Sequence, residues 1–166
     1  VEQYCKTMGK VIIRCLDRPG FLVNRAFVPW LNEACRLLEE GVANAAQIDS
    51  VAIRDFNIGL GPFALMNLTG PMIAVHASNY LSDQLSTPRF AAAENMRAVA
   101  ESGDSWEIGE DSECDEETAL RIKERLMGQT FAVSSQIVDE GICSIEDVNR
   151  GSLVGLRWGK GPFELA

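Results

Sequence analysis

The sequence predicts an all-α fold, built from a duplicated helical unit and preceded by a short helix and a strand. Hydrophobic residues recur at helical spacing over most of the chain. Glycine and proline stand where such helices would end and begin. Residues 25–65 also match residues 125–165 at a constant shift of one hundred positions. With 166 residues, of which 46% are hydrophobic and 23% charged, the chain is long enough to bury a core.

The internal match joins identical turn residues to apolar positions of the same kind. A Glu-Gly pair and a Gly-x-Gly-Pro-Phe stretch fall in one register, which chance rarely gives, so we interpret the match as a duplication. The identical pairs are Arg25/Arg125, Glu40/Glu140, Gly41/Gly141, Gly59/Gly159, Gly61/Gly161, Pro62/Pro162, Phe63/Phe163 and Leu65/Leu165.

Each helix of the first copy follows from its own pattern. Apolar residues from Leu22 to Leu38 recur at helical spacing, and Gly41 supplies the stop. Asn44 followed by Gln47 resembles a capping box at the start of the next helix. Proline suits the first position of a helix, because its missing N–H costs little there. The helices predicted on this basis begin at Pro62 and Pro71. The second copy repeats the punctuation at Gly141, Ser144 and Gly161-Pro162.

The flanking segments differ from the two copies. Residues 1–10 favour a short helix, and Val11–Ile13 favours a buried strand before a turn. Residues 101–117 hold nine acidic and no basic residues, which is typical of a solvated linker. An EF-hand is excluded, because Asp104–Asp115 lacks oxygen ligands at the third and fifth loop positions. The predicted segments are the end of a preceding domain (1–18), a first helical unit (19–100), an acidic linker (101–117) and a second, truncated unit (118–166).

Composition and chain ends exclude several classes. A net charge of -9 argues against a nucleic-acid partner, and no apolar run approaches the length that a bilayer requires. The five cysteines are scattered, which disfavours a zinc site and favours a reducing, cytoplasmic compartment. The chain starts without Met and stops in mid-pattern, so we expect a piece of a longer protein.

Two candidate motifs carry little chemistry. Gly59-x-Gly61-x-x-Ala64 matches the dinucleotide fingerprint in form, but a predicted helix precedes it and Pro62 removes a needed N–H donor. A tight turn between helices is the better interpretation. The only histidine, His76, has no nucleophile pattern near it and is better explained as a packed or surface residue than as a general base. The residues alone thus predict no self-sufficient catalytic set.

One ordered series of residues resembles a known family. Asp17–Arg25, Pro29–Ala34, Glu40–Ala43, Ile48-Asp49 and Gly61–Phe63 resemble the C-terminal domain of 3-hydroxyacyl-CoA dehydrogenases. The resemblance covers the first copy densely and the second more thinly, and tandem copies resemble the longer members, including those fused to enoyl-CoA hydratase. It implies a helical fold of the 6-phosphogluconate dehydrogenase C-terminal type. It also implies that the first residues are the last helix and strand of the family's NAD-binding domain.

The same resemblance implies an NAD-dependent oxidation of 3-hydroxyacyl-CoA to 3-ketoacyl-CoA in fatty acid β-oxidation. The family's His–Glu pair and Gly-rich loop belong to the NAD-binding domain, so NAD is expected there and this piece alone is expected to be inactive. Asn24 matches the active-site asparagine of the Gly-Phe-x-Val-Asn-Arg motif and is the one catalytic residue carried over. The implied partners are the acyl-CoA substrate, the chain's own NAD-binding domain, a fused enoyl-CoA hydratase as in the longer members, and a second copy in a homo-oligomer.

Departures and alternatives accompany this interpretation. Ala64 and Asn67 replace acidic residues that are usual in the family, whereas Glu164 keeps the first of them in the second copy. Glu124 stands at the position matching Asn24, which favours one functional cleft, with a helix-capping role of Asn24 as the structural alternative. The alternative function is a catalytically silent assembly or dimerisation module. We also expect the two copies to pack on each other about a pseudo-two-fold axis.

Overall fold

The structure is a computed structural model that describes residues 1–165, so Ala166, the last residue of the predicted second unit, lies outside the described residues. The α-helices are α1 (Glu2–Thr7), α2 (Val23–Glu39), α3 (Ala45–Phe56), α4 (Pro62–Thr69), α5 (Pro71–Leu85), α6 (Glu94–Ser102), α7 (Glu116–Asp139) and α8 (Ile145–Gly155). Single 3-10 turns lie at Pro88–Phe90 and Pro162–Glu164. The all-α prediction is confirmed.

Most helix ends lie where the sequence predicts them. The Gly41 backbone after α2 is left-handed, with φ +65°, as a helix stop requires. The capping box of α3 is formed, since the Gln47 N–H donates to Asn44 Oδ1 at 2.9 Å and the Asn44 N–H donates to Gln47 Oε1 at 3.1 Å. Ser144 caps α8 by accepting from the Asp147 N–H at 3.1 Å.

The strand predicted at Val11–Ile13 is wrong. The helix expected before it is present as α1, but residues 10–16 have no regular structure. A strand is stable only in a ladder with a neighbour, and residues 1–165 contain no other strand to provide one. The Leu16 N–H instead donates to the Ile142 carbonyl at 2.9 Å, which attaches this segment to the second copy.

The acidic segment is tied to the first copy. Trp106 is only 7% exposed, and its ring lies 5.4 Å from that of Phe63. Asn67 fixes it, because the Trp106 N–H donates to Asn67 Oδ1 and Asn67 Nδ2 donates to the Trp106 carbonyl, both at 2.9 Å. The start of α7 lies inside the predicted linker, since Asp115 caps the helix by accepting from the Thr118 N–H at 2.8 Å.

The hydrophobic core has two main parts, and each contains residues from both segments that we interpret as copies (19–100 and 118–165). The duplication itself stays a prediction. The larger part joins α2 to α6 and receives Ile122 and Leu126 from the start of α7. The smaller part lies among α7, α8 and the turn between them and receives Leu22 and Ala26 from the start of α2. Each long helix therefore begins in the core of the other copy. Within residues 1–165, no helix is long and apolar enough to cross a membrane.

Two ion pairs also join the two copies. Arg25 Nη2 donates to Glu140 Oε1 at 2.5 Å, and Arg125 Nη1 donates to Glu40 Oε2 at 2.7 Å. The four residues occupy matched positions of the two copies. The arginine of each copy thus bonds the glutamate of the other copy. Packing about a two-fold axis produces such reciprocal contacts.

Candidate functional site

Asn24 lies in a cleft of about 610 Å³ between the turn at residues 17–21 and the outer face of α5. The cleft combines charged, aromatic and amide side chains, among them Arg18, Phe21, Asn24, His76, Tyr80 and Gln84. Its mixed lining suits a ligand with both polar and apolar parts.

The side chain of Asn24 is exposed at the start of α2 and has no hydrogen-bond partner within residues 1–165. Leu22 occupies the N-cap position of α2, and no side chain caps this helix. The structural alternative in which Asn24 caps its helix is therefore not what the structure shows. Its amide is free to bond a group that enters the cleft.

A strained turn sets the position of Asn24. Gly20 has φ +77°, and a Cβ there would lie 2.8 Å from Leu81 Cδ2 and 2.9 Å from the Arg25 nitrogen. Only glycine fits this position, because it combines a left-handed backbone with close approach to two neighbours. Phe21 also has a left-handed backbone, with φ +47°, and its ring is exposed beside the cleft.

Helix α5 has a buried apolar face and an outer face on which apolar and polar side chains alternate. Its inner face is buried through Ala74, Val75 and Leu81. Its outer face leaves Ile73 and Tyr80 exposed, at 63% and 54%, beside the cleft wall. Of these two residues, Tyr80 lines the cleft itself.

The sequence did not predict that His76 and Tyr80 would share the cleft of Asn24. The spacing of four residues places the two side chains on one face of α5. His76 is exposed, as the surface interpretation expected, and no serine or cysteine is among the residues that line the cleft with it. The signal available in the sequence was the i, i+4 spacing of His76 and Tyr80 on a helix that begins at Pro71.

The Gly59-x-Gly61-x-x-Ala64 stretch forms a capped helix start. Asp49 accepts from the Phe63 N–H at 2.8 Å and from the Ala64 N–H at 2.9 Å, and a Cβ at Gly61 would collide with it. Burial raises the pKa of Asp49, and these two bonds oppose that rise. The donors that would cradle a phosphate are thus already bonded to a carboxylate, so the stretch does not fit a dinucleotide.

The remaining features are poorer candidates. A second cavity of about 480 Å³ lies between the copies, with an aromatic and aliphatic lining that includes Trp30 and Trp158, and Arg157 at its edge. The described residues contain no group of three or more His, Cys, Asp or Glu side chains that could hold a metal ion. We therefore take the Asn24 cleft as the candidate site.

Comparison with protein families gives one match over this region. Residues 20–109 match the family model described as the C-terminal domain of 3-hydroxyacyl-CoA dehydrogenase. The match contains the Asn24 turn, α5 and the start of the acidic segment.

Among curated relatives, mitochondrial hydroxyacyl-coenzyme A dehydrogenase of Mus musculus is 45% identical over 67 residues, which is 40% of this chain and 21% of the mouse protein. The 3-hydroxybutyryl-CoA dehydrogenase of Mycobacterium tuberculosis is 28% identical over 103 residues, which is 61% of this chain and 36% of that protein. The chain thus spans about a fifth to a third of the length of these two relatives.

Two solved structures are similar in fold. The 3-hydroxybutyryl-CoA dehydrogenase of Escherichia coli covers 97% of this chain, with a TM-score of 0.78 and 18% identity, and the match is 56% of that chain. The (S)-3-hydroxybutyryl-CoA dehydrogenase of Ralstonia eutropha covers 61% of this chain, with a TM-score of 0.59 and 32% identity, and the match is 36% of that chain. The first match includes the fold of both copies.

Proposed function

Because this chain belongs to the 3-hydroxyacyl-CoA dehydrogenase family through its C-terminal domain, we propose that it forms the substrate-side helical domain of such an enzyme. The proposed reaction is the NAD-dependent oxidation of the 3-hydroxyl of an acyl-CoA to a ketone, as in fatty acid β-oxidation. The relatives named above are hydroxyacyl- or hydroxybutyryl-CoA dehydrogenases, which supports this substrate class.

The observation that carries the proposal is the unpartnered amide of Asn24 in a cleft within the matched residues. Its N–H can donate to the 3-oxygen of the substrate, where a carbonyl develops as hydride leaves. Phe21 and Tyr80 offer exposed apolar surface beside it, which suits the first carbons of an acyl chain. In this proposal, the domain orients the substrate and withdraws it from water.

Bound to the complete enzyme, NAD would supply the hydride acceptor, and the histidine of the family's His–Glu pair would take the hydroxyl proton. The Gly61 turn does not fit the pyrophosphate of NAD, because the backbone donors of this turn already bond Asp49. We therefore place NAD on the family's N-terminal domain. That domain would close against the exposed apolar face that contains Phe21, Ile73 and Tyr80.

An assay of the complete protein tests this function. A longer protein that carries this domain behind an NAD-binding domain should form NADH from a 3-hydroxyacyl-CoA. The alternative, a catalytically silent assembly module, draws support from the extensive packing between the copies. A complete protein that folds and assembles but forms no NADH with any acyl chain length would favour the module.

Further features of the complete protein belong to the same proposal. We propose the cytoplasm as its compartment. All five cysteines are free thiols, which suits a reducing environment. A fused hydratase and a homo-oligomer remain proposals that size measurements on the complete protein would test.

A further inference from the structure

The segment that contains Asn24 packs on the second copy. The Leu16 N–H donates to the Ile142 carbonyl at 2.9 Å, before the turn. After the turn, Leu22 packs so closely on α8 that a Cβ at Gly151 would collide with it. The Asn24 segment is thus fixed on both sides of the turn by residues after position 118.

Arg25, which follows Asn24, forms the third attachment. Its side chain is only 1% exposed, and Nη2 bonds Glu140, which directly follows α7. Within the described residues, Nε and Nη1 have no acceptor. The Arg25 N–H also donates to the Gly20 carbonyl at 3.2 Å, so this residue closes the turn as well.

Arg125, the residue that matches Arg25, has one more carboxylate partner than Arg25. Arg125 bonds both Glu33 and Glu40. By the shift of one hundred positions, the counterpart of Glu33 is Val133. The side chain of valine cannot accept a hydrogen bond from Arg25. Glu140 is therefore the only carboxylate that bonds the buried Arg25 guanidinium within residues 1–165, whereas Arg125 has two.

We infer that Arg25, held by Glu140 of the second copy, is a positioning residue for Asn24. The inference rests on the proposed function of the Asn24 cleft. The Asn24 side chain has no hydrogen bond of its own, so its placement follows the backbone of the first turn of α2. That backbone is fixed by its buried neighbour Arg25. The second copy, which carries Glu124 instead of the amide, thus supports the one functional cleft.

Matched substitutions in the complete dehydrogenase test this inference. Glu140→Gln removes the charge that holds Arg25, and Glu40→Gln removes its counterpart at Arg125, which keeps Glu33. We expect Glu140→Gln to lower kcat about 10-fold to 100-fold with little change in KM, since small misplacements at a reacting centre have effects of this size. Glu40→Gln should leave kcat within about twofold of the unsubstituted enzyme. Glu140→Asp keeps a carboxylate on a shorter side chain that reaches Arg25 less closely, so it should recover only part of the loss.

A second readout uses the 166-residue chain itself. In amide NMR spectra, Glu140→Gln should shift or broaden the backbone and side-chain amide signals of Asn24, and Glu40→Gln should leave them in place. This readout separates the two proposals, because an inactive complete enzyme would refute the function while the Asn24 signals still decide the positioning.

Two results would overturn the inference. One is an equal loss of kcat in Glu140→Gln and Glu40→Gln that follows their loss of stability. The other is an unchanged set of Asn24 signals in Glu140→Gln. Should Glu140→Gln fail to fold, Glu140→Asp and Glu40→Asp provide the same comparison with smaller perturbations, judged by the same Asn24 signals.

Discussion

The side-chain amide of Asn24 contacts no other residue through a hydrogen bond within residues 1–165, so its removal should change catalysis and leave folding intact. In the complete enzyme, Asn24→Ala should lower kcat about 10²-fold to 10³-fold, which is the usual effect of losing one donor to a developing oxyanion. Steady-state kinetics and the melting temperature, measured on the same preparation, check this expectation.

The matched control is Glu124→Ala. Glu124 is exposed at the equivalent position of the second copy, and its loss should leave kcat unchanged. If Asn24→Ala retained full kcat, or lost activity only with its melting temperature, Asn24 would have a structural role and the proposed chemistry would fail.

Asn67 illustrates how a departure from the family pattern acquires a local role. Its amide both donates to and accepts from the Trp106 backbone. Aspartate cannot donate to the Trp106 carbonyl, so Asn67→Asp should destabilise the chain by about 1–3 kcal/mol and loosen the buried indole. Urea unfolding measures the free energy, and Asn79→Asp on the exposed face of α5 serves as the control. Equal effects of the two substitutions would contradict the role of Asn67.

At the scale of the secondary structure, the start of α4 depends on one buried carboxylate. Asp49→Ala would leave the N–H groups of Phe63 and Ala64 without their acceptor. We expect a loss of about 1–3 kcal/mol in the free energy of unfolding, measured by urea denaturation. Asn149 stands at the matched position and accepts only one bond, from the Phe163 N–H, so Asn149→Ala should cost less. A larger cost for Asn149→Ala would contradict this ranking.

The pH dependence of this cap has a definite sign. Burial raises the pKa of Asp49, so the folded chain binds the proton more tightly than the unfolded chain. The contribution of Asp49 to stability should fall as the pH rises from its usual carboxyl pKa through the raised value. Arg125 has the opposite effect on Glu40, because it lowers the pKa of that carboxyl. The contribution of Glu40 to stability is therefore lost as the pH falls through its lowered pKa. Urea unfolding of Asp49→Asn and Glu40→Gln across acidic pH should therefore show opposite trends relative to the unsubstituted chain.

Local patterns predicted local structure well. The stop at Gly41, the cap at Asn44 and the proline starts need only a few neighbouring residues, and all were present as expected. The strand at Val11–Ile13 failed because strands need distant partners, which a short apolar run does not reveal. Helix α6 was not predicted, although Met96 lies buried in it among residues of α5 and α2.

The candidate site could be predicted only in part. The motif placed Asn24 at the start of a helix, which the structure shows. The pairing of Arg25 with Glu140 spans 115 positions along the chain, and no local pattern specifies it. Tyr80 and His76 reach the cleft through the packing of α5 on α2, which likewise depends on the tertiary fold.

For the whole molecule, the exchange of helix starts between the two cores makes each copy incomplete alone. Leu22 and Ala26 complete the core of the second copy, and Ile122 and Leu126 complete that of the first. The predicted pseudo-two-fold packing is consistent with these contacts and with the two matched ion pairs. Separating the copies would expose both cores, so we expect the 166-residue chain to unfold as one cooperative unit.

The same fold leads to a prediction about the cofactor. The N–H groups at the start of α4 bond Asp49, and α2 begins at a turn whose positive-φ glycine is packed against Leu81. The start of α4, which matches the dinucleotide fingerprint in form, therefore lacks the open set of donors that a pyrophosphate requires. We therefore expect the 166-residue chain to bind NAD negligibly and to form no NADH from a 3-hydroxyacyl-CoA. Isothermal titration calorimetry checks this, with the complete dehydrogenase as the positive control. Micromolar binding of NAD to the chain alone would show a dinucleotide site within these residues and would refute the division of labour proposed here.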